Sequence, residues 1–579
     1  MSSTTPSDSR PSTKRSRKDG STPDSQSALS PSLLFLLILA FRLVNALTTR
    51  TFFQPDEYFQ ALEPAWDLVF GRGWITWEWW EKLRSIAHPL LFAGVYKTAD
   101  IISQTLKLSP EIRSELLLVA PKVYQAVFAA LGDYWTYTLA LAVAGPGEKD
   151  RKGRAMTTLF ISLGSAFHWF CSTRTFSNSL ETTLTAGALT YWPWPHTPLN
   201  TGYHSIHLHA LVQLLTLPPS RLTTSLTLAA IATLLRPTNA LLWLLLGSFL
   251  LLRAGPNARA AILSRVFAIA FVAIGTNLAL DRWYYGQFTF PPLKFLVYNL
   301  VQKLSIHYGT MPWHYYISQG LPLLLTAYLP LTIHEICNLD SVPDTPLGAP
   351  KLQLAFTAIF VTLTYSFISH KEMRFLYPLL PIFHLYAASS LYTLTSSPPL
   401  RKALLVALVA INLPIAYYTS QLHQRGVIDV VDHIRRDALS PDWNSVGFLM
   451  PCHSTPWMSH MQLPEYKSAW ALSCDPPVNV APRFLSSYRD EADRFYDNPK
   501  LFLRENVSTR KEVERRGKNT RKFEWPDRLV VFQALGIVEL VKEVTGKEVR
   551  YEECGRWWNT HWHDDERRRG DVVMFCKAE

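Results

Sequence analysis

Three stretches of the chain place acids, cations and hydroxyls within strongly apolar surroundings. The first is "RTFFQPDEYFQALEPAWDLV" (50–69), where Asp56 and Glu57 follow Pro55 and sit among Phe52, Phe53, Tyr58, Phe59 and Trp66. Adjacent side chains cannot share one helix face, so the two acids must part. The pair reads two ways. Carboxylates at a helix start complement its dipole; a carboxylate partly desolvated among aromatics suits a general base. The second stretch is "SFISHKEMRFLYPLLPI" (366–382), where His370, Lys371, Glu372 and Arg374 interrupt an apolar run. Ionisable groups at membrane depth are costly and point to function, and Lys with Arg suits a phosphate. The alternative is a short loop between spans with snorkelling charges. The third is "CSTRTFSNSLE" (171–181), with Arg174, Asn178, Glu181 and several hydroxyls. These groups suit a sugar, or equally a polar turn between helices.

Weaker signals surround them. Arg84 and His88 in "LRSIAHP" read as phosphate ligands or interface anchors, Arg236 in "RPTNA" as a topogenic cation, and Asp133 as a helix cap. "YGTMPWHYYISQGLP" (308–322), with Trp313 and His314, has the aromatic density of a sugar-contacting loop and also that of an ordinary membrane interface.

The elements that must position these groups are membrane helices. Hydrophobic residues make up 48% of the 579, yet mean hydropathy is only +0.03, because polar ends flank an apolar middle. "PSLLFLLILAFRLVNAL" (31–47) is the first candidate span, without a small-residue cleavage site after it. Further candidates fall near 89–105, 114–131, 133–146, 155–171, 179–192, 205–217, 221–235, 239–253, 261–279, 320–337, 353–369, 375–396 and 402–420. Since a bilayer needs roughly 17–25 apolar residues per helix, about 11–13 true spans are expected. Residues 1–30 are Ser/Thr/Pro-rich with a basic "KRSRK", and read as a disordered cytosolic tail. Residues 31–420 form the membrane module. Residues 421–579 mix a helical pattern ("GVIDVVDHIRRD") with strand-like runs ("SVGFLM", "RLVVFQAL", "DVVMF") and read as a small α/β domain.

The formal net charge of +11 comes with no spaced Cys/His finger and no basic region leading into heptads, so nucleic acid is excluded as a partner. Cys452, Cys474, Cys554 and Cys576 all lie in the C-terminal region, without a Cys-x-x-Cys pair. They suit an oxidising compartment, with three possible pairings, or remain reduced and buried. With the N-glycosylation sequon at Asn506 they favour a lumenal C-terminal domain, on the same side as the Asp56 loop.

"PDEYFQ", "ITWEW", "LRS", "CSTRTFSNSLETTLT", "RPT", "PWHYYISQGLP", "SHKEMRFLYPLLP" and "LMPCHSTPWMSHM" occur in this order over roughly residues 32–555. Together they resemble the family 22 glycosyltransferases, membrane mannosyltransferases of the endoplasmic reticulum with a GT-C fold. "HKEMRF" marks the family broadly. "LMPCHSTPWMSHM" resembles the branch that adds the third mannose to a glycosylphosphatidylinositol (GPI) precursor. Gln54 stands where the fourth-mannose branch has histidine, and Lys294 stands where asparagine is expected; the last residues match only loosely.

The resemblance implies an α-helical multispanning membrane protein of GT-C type in the endoplasmic reticulum membrane, its active site lumenal. The implied donor is dolichyl phosphate mannose, the acceptor a GPI precursor glycolipid, and the product an α-1,2-mannoside formed by inversion. Inversion needs a base on the acceptor hydroxyl, for which Asp56 stands first and Glu57 second. A departing lipid phosphate needs fixed cations: His370, Lys371 and Arg374, with Arg84 helping. Arg174, Asn178, Glu181, Trp313 and His314 are the expected sugar and acceptor contacts. No Asp-x-Asp motif is present, and neither metal nor cofactor is expected. The alternatives are another family 22 step, the fourth GPI mannose or a dolichol-linked N-glycan precursor, or a non-enzymatic lipid transporter or scramblase. A transporter tends to show repeat symmetry, which this sequence lacks.

Overall fold

The computed structural model describes residues 30–144, 150–194, 220–302, 304–339, 349–395, 397–478, 480, 482–509, 521–546 and 548–578. The expectations for the leader with its basic cluster, and for the span at 205–217, lie outside the described residues.

Helix Pro31–Thr48 starts with Ser30 accepting from the Leu33 amide at 3.2 Å and with proline in its first turn. Its 18 residues rise about 27 Å, close to the thickness of a hydrocarbon core. Among the described residues, Pro110–Ala144, Pro256–Tyr285, Tyr316–Cys337 and Pro398–Arg436 are also long and apolar enough to cross a membrane, and Arg221–Leu235 and Pro237–Arg253 are shorter apolar helices. The chain is thus a multi-pass membrane protein. Two expected spans, 114–131 and 133–146, are one 35-residue helix, Pro110–Ala144. The expected break was at Asp133, read as a helix cap. Asp133 instead lies mid-helix and fully buried, so the helix runs through it. The expected span 155–171 divides at Gly164 into Arg151–Leu163 and Ala166–Cys171.

Beyond Gly426–Arg436, the helix expected in "GVIDVVDHIRRD", the C-terminal region builds a five-stranded mixed sheet. Its strands are β1 (Ser445–Phe448), β2 (Ser468–Ala471), β5 (Arg528–Phe532), β6 (Tyr551–Trp557) and β7 (Val572–Lys577), in the order β2-β1-β5-β7-β6; β3 (Val507–Ser508) and β4 (Phe523–Glu524) pair separately. β1 runs parallel to β2 and β5; β7 runs antiparallel to β5 and β6. The three expected strand runs became β1, β5 and β7. Strand alternation divides β5 between two cores. Leu529 and Val531 pack with the helices at 491–506 and 537–545. Val530 and Phe532 pack with Phe52, Phe59 and Trp66 of the first loop. The sheet is therefore fastened to the Asp56 loop by a shared apolar core. Cys452 bonds to Cys474 and Cys554 to Cys576. The sequon residue Asn506 ends a helix, its amide donating to the Phe502 carbonyl at 2.9 Å, and Val507 and Ser508 are buried.

Within the helical module, Arg42 reaches across to Asp133, with Nε to Oδ2 at 2.6 Å and Nη2 to Oδ1 at 3.0 Å. Ser162 and His168 also bond Oδ1, and Asn45 accepts from Arg42 at 3.1 Å. Both charges are fully buried, so each depends on the other. Asp133→Leu, which strands Arg42 without an anion, is expected to destabilise by about 3–5 kcal/mol. The double variant Arg42→Met with Asp133→Leu should lose less. Thermal unfolding of the detergent-solubilised protein ranks the two; equal losses would show that pairing is not what holds these helices.

Candidate active site

Pro55 starts a turn in which the amides of Tyr58 and Phe59 both donate to its carbonyl at 2.9 Å. The next residues form a π-turn, Tyr58–Leu62, closed by the Glu63 amide on Tyr58. Pro64 has no N–H to continue a regular helix ladder here, which favours the wider turn. Neither acid caps the turn with its side chain. Each meets an arginine instead, and they part as their adjacency requires. Asp56 Oδ2 is 2.5 Å from Arg374 Nη1, and Glu57 Oε2 is 2.9 Å from Arg174 Nη1.

Asp56 faces a cavity of about 480 Å³. Arg374 forms its back wall, donating to both oxygens of Glu372 at 2.7 and 2.9 Å. His370 Nε2 lies 3.3 Å from Glu372 Oε1, and its Nδ1 lies 3.0 Å from the Gly309 carbonyl. Burial opposes charge on Glu372, but Arg374 and the His370 bond outweigh it and hold this carboxyl well below the usual range. Burial likewise opposes a charged His370, and Glu372 with the Gly309 carbonyl raises it above its ordinary value. Lys371 donates to the Met311 carbonyl at 2.9 Å. Arg84 is bound to Glu78 at 2.7 Å, beside the ring of Phe295. Among the described residues Asp56 Oδ1 has no hydrogen bond and is open to the cavity.

The expected phosphate ligands thus converge around Asp56, but the expected sugar contacts scatter. Arg174 is buried and engaged by the carbonyls of Phe170 and Thr51, the Thr51 hydroxyl and Glu57. It braces the first loop from behind, away from this cavity. Asn178 lies beneath Arg374, its amide 3.4 Å from that residue's carbonyl. Glu181 is buried against Arg236 and Asn239. Trp313 and His314 are not in the lining; Trp313 is 71% exposed, and Met311 and Tyr315 of the same loop line the cavity instead.

Several lining residues escaped a sequence assignment. Arg236, read as topogenic, sits at the cavity floor between Glu181 and the Ser177 hydroxyl. Glu78, from "ITWEW", holds both Arg84 and the Gln60 amide. His453, from "LMPCHSTPWMSHM", enters from the sheet side against Phe59, with ring centroids 4.3 Å apart. Burial, with Arg568 nearby, holds His453 near 4, so it stands neutral. Their motif membership was the available signal, but nothing in one sequence tells a lining residue from a buttress.

An apolar groove of about 520 Å³ abuts this cavity. Leu180, Ile231, Leu234, Ile269 and Val272 line it, and Gln60, Leu83, Arg84, Arg236 and Phe295 are common to both spaces. Two arginines therefore stand where apolar and polar spaces meet. The first space is suited by its lining to an apolar chain, and the second to polar and charged groups.

The sheet region is keyed to the Asp56 loop through Glu63. Its Oε1 accepts from the Ser459 amide at 2.8 Å and its Oε2 from the Trp74 amide at 3.0 Å. Gly73 permits the second bond, since a Cβ there would lie 2.2 Å from the Glu63 carbonyl. Burial dominates these bonds and pushes the Glu63 carboxyl up from 4.5 to about 7. Between those values the folded protein keeps a proton that the unfolded chain has lost. This group's contribution to stability is therefore expected to fall as pH rises from about 4.5 to about 7, and to level off above. Glu63→Gln should flatten that slope, read from thermal midpoints across the range; an unchanged slope would assign it to other groups.

Residues 33–462 match the model of the Alg9-like mannosyltransferase family. GPI mannosyltransferase 3 of Aspergillus fumigatus is 40% identical, over 98% of this chain and 80% of its own length. The protein of the same name from Yarrowia lipolytica is 41% identical, over 94% of this chain and 96% of its own; that from Debaryomyces hansenii is 36% identical, over 97% and 95%. Among solved structures, ArnT from Cupriavidus metallidurans bound to undecaprenyl phosphate superposes with a TM-score of 0.55 at 11% identity, covering 94% of this chain and 97% of that one. That likeness establishes the GT-C fold expected from the sequence. With most of its length matched by both the family model and these relatives, the chain belongs to the Alg9-like mannosyltransferase family.

Proposed function

We propose that this protein is an endoplasmic reticulum α-1,2-mannosyltransferase. It moves mannose from dolichyl phosphate mannose to the two-mannose GPI precursor, with inversion, in a cavity that faces the lumen. The observation that carries this reading is the open oxygen of Asp56 in a polar cavity that shares Arg84 and Arg236 with an apolar groove. The relatives' name, GPI mannosyltransferase 3, supports the acceptor. The polyprenyl phosphate bound by ArnT supports a lipid-phosphate donor.

In this reading the dolichyl chain lies in the groove and its phosphate at the junction. The acceptor hydroxyl oxygen attacks the anomeric carbon from the face opposite the phosphate, and Asp56 Oδ1 takes the hydroxyl proton. The bond between the anomeric carbon and the phosphate oxygen breaks, and its electron pair leaves on dolichyl phosphate. Arg84, His370, Lys371 and Arg374 meet that developing charge, joined by Arg236. Three of the five N–H groups of Arg374 hold Asp56 and Glu372, leaving two for phosphate. This donor set asks for no metal. Glu57, turned to the other side, is not the base.

The test is transfer in microsomes from cells lacking the third-mannose step, with labelled donor and chromatography of the lipid products. Conversion of the two-mannose to a three-mannose species is expected. Asp56→Asn should cut transfer by about 10²–10⁴ while protein abundance holds, and Glu57→Gln should cost far less. Full activity in Asp56→Asn would overturn the base assignment. Persistence of the two-mannose lipid with unaltered protein present would move the acceptor to another branch of the family.

A further inference from the structure

Behind the Asp56–Glu57 peptide lies a second cavity, of about 610 Å³, on the side to which Glu57 points. Its lower wall is apolar, made by Ala46 and Leu47 of helix Pro31–Thr48 and by Leu118 and Val119 of helix Pro110–Ala144. Its upper wall is charged, made chiefly by helix Gly426–Arg436. Four carboxylates line it, and each has an arginine: Glu57 with Arg174, Glu115 with Arg435, Asp429 with Arg425, and Asp432 with Arg435 and Arg436. Six cations face these four acids. The two in excess are Arg50 and Lys122, and no described residue hydrogen-bonds or ion-pairs with either side chain. His460, on the same wall, is held at about 3 by burial and adds no charge.

A half-buried lysine without a partner, beside a second free cation, is a site for an anion. Apolar walls from two membrane helices directly below favour an anion carried on a lipid over one free in solution. We propose that this second cavity binds the anionic phosphodiester headgroup of a membrane lipid, with Lys122 and Arg50 on the phosphate and the acyl chains descending beside Leu47 and Leu118. The inference stands apart from the proposed donor and linkage. Its consequence is positional: an occupied site would set a headgroup against Glu57, one residue from the carboxylate that faces the first cavity.

The phosphodiester has two sources, the phosphoinositol of a glycolipid acceptor or an ordinary anionic phospholipid, and binding to the purified full-length protein in detergent separates them. The probe is dioctanoyl phosphatidylinositol, followed by thermophoresis beside the serine and choline analogues and inorganic phosphate. The expected result is binding of the inositol lipid with the zwitterionic choline analogue about tenfold weaker or more. Lys122→Met should weaken binding about tenfold, Lys122→Arg should retain it, and Arg50→Gln, at an exposed position, should weaken it without threatening the fold. Asp56→Asn and Arg84→Gln should bind as the unaltered chain does. Preference for inositol over serine would identify the acceptor's own headgroup, and equal binding a bulk anionic lipid; either supports the site. Unchanged binding in folded Lys122→Met and Arg50→Gln would overturn it. So would displacement by inorganic phosphate at equal concentration, or loss of binding in Arg84→Gln, which would put the lipid in the first cavity.

Discussion

Arg374 binds Asp56 through one nitrogen and Glu372 through two others, joining segments 318 residues apart. The rest of the polar cavity is arranged around that contact. It fixes one oxygen of Asp56 and leaves the other free. It keeps Glu372 ionised, and Glu372 in turn fixes His370. Such a cluster tolerates burial only because each charge has a partner of opposite sign with hydrogen bonds. Pre-organised charge of this kind needs little rearrangement when new charge develops beside it.

The placement of Asp56 also depends on what lies behind it. Arg174 and Thr175 grip the loop from the helix side, through Glu57, Thr51 and the Glu57 carbonyl. The sheet region grips it from the other, through Glu63 and the core shared by Phe59, Trp66, Phe448 and Val530. The C-terminal region is thus part of the cavity wall, to which it contributes His453 and Cys474.

Deeper in the helical module, Arg42, Asp133, His168 and Tyr377 form a second buried chain of polar contacts. It lines up four segments of sequence at membrane depth, where an unpaired charge is far costlier than a paired one. Arg42 and Asp133 each look like a defect in an apolar run, and each makes sense only in the presence of the other.

Local chemistry determined a good deal by itself. Long apolar runs marked where membrane helices lie, though not that 114–146 belongs to one helix or that 155–171 divides, and short apolar runs marked β1, β5 and β7, because such runs are a property of neighbours in the chain. Adjacency alone required Asp56 and Glu57 to face apart, and ordered motifs carried the family. What the chain could not reveal was pairing. That Arg374 serves Asp56, that Arg174 braces where a sugar contact was expected, that Arg236 floors the cavity, that Asp133 lies inside one long helix, and that Trp313 points outward are all long-range facts. Tertiary structure decided them, because the sign and burial of a charge become informative only when its partner, tens or hundreds of residues away, is in place.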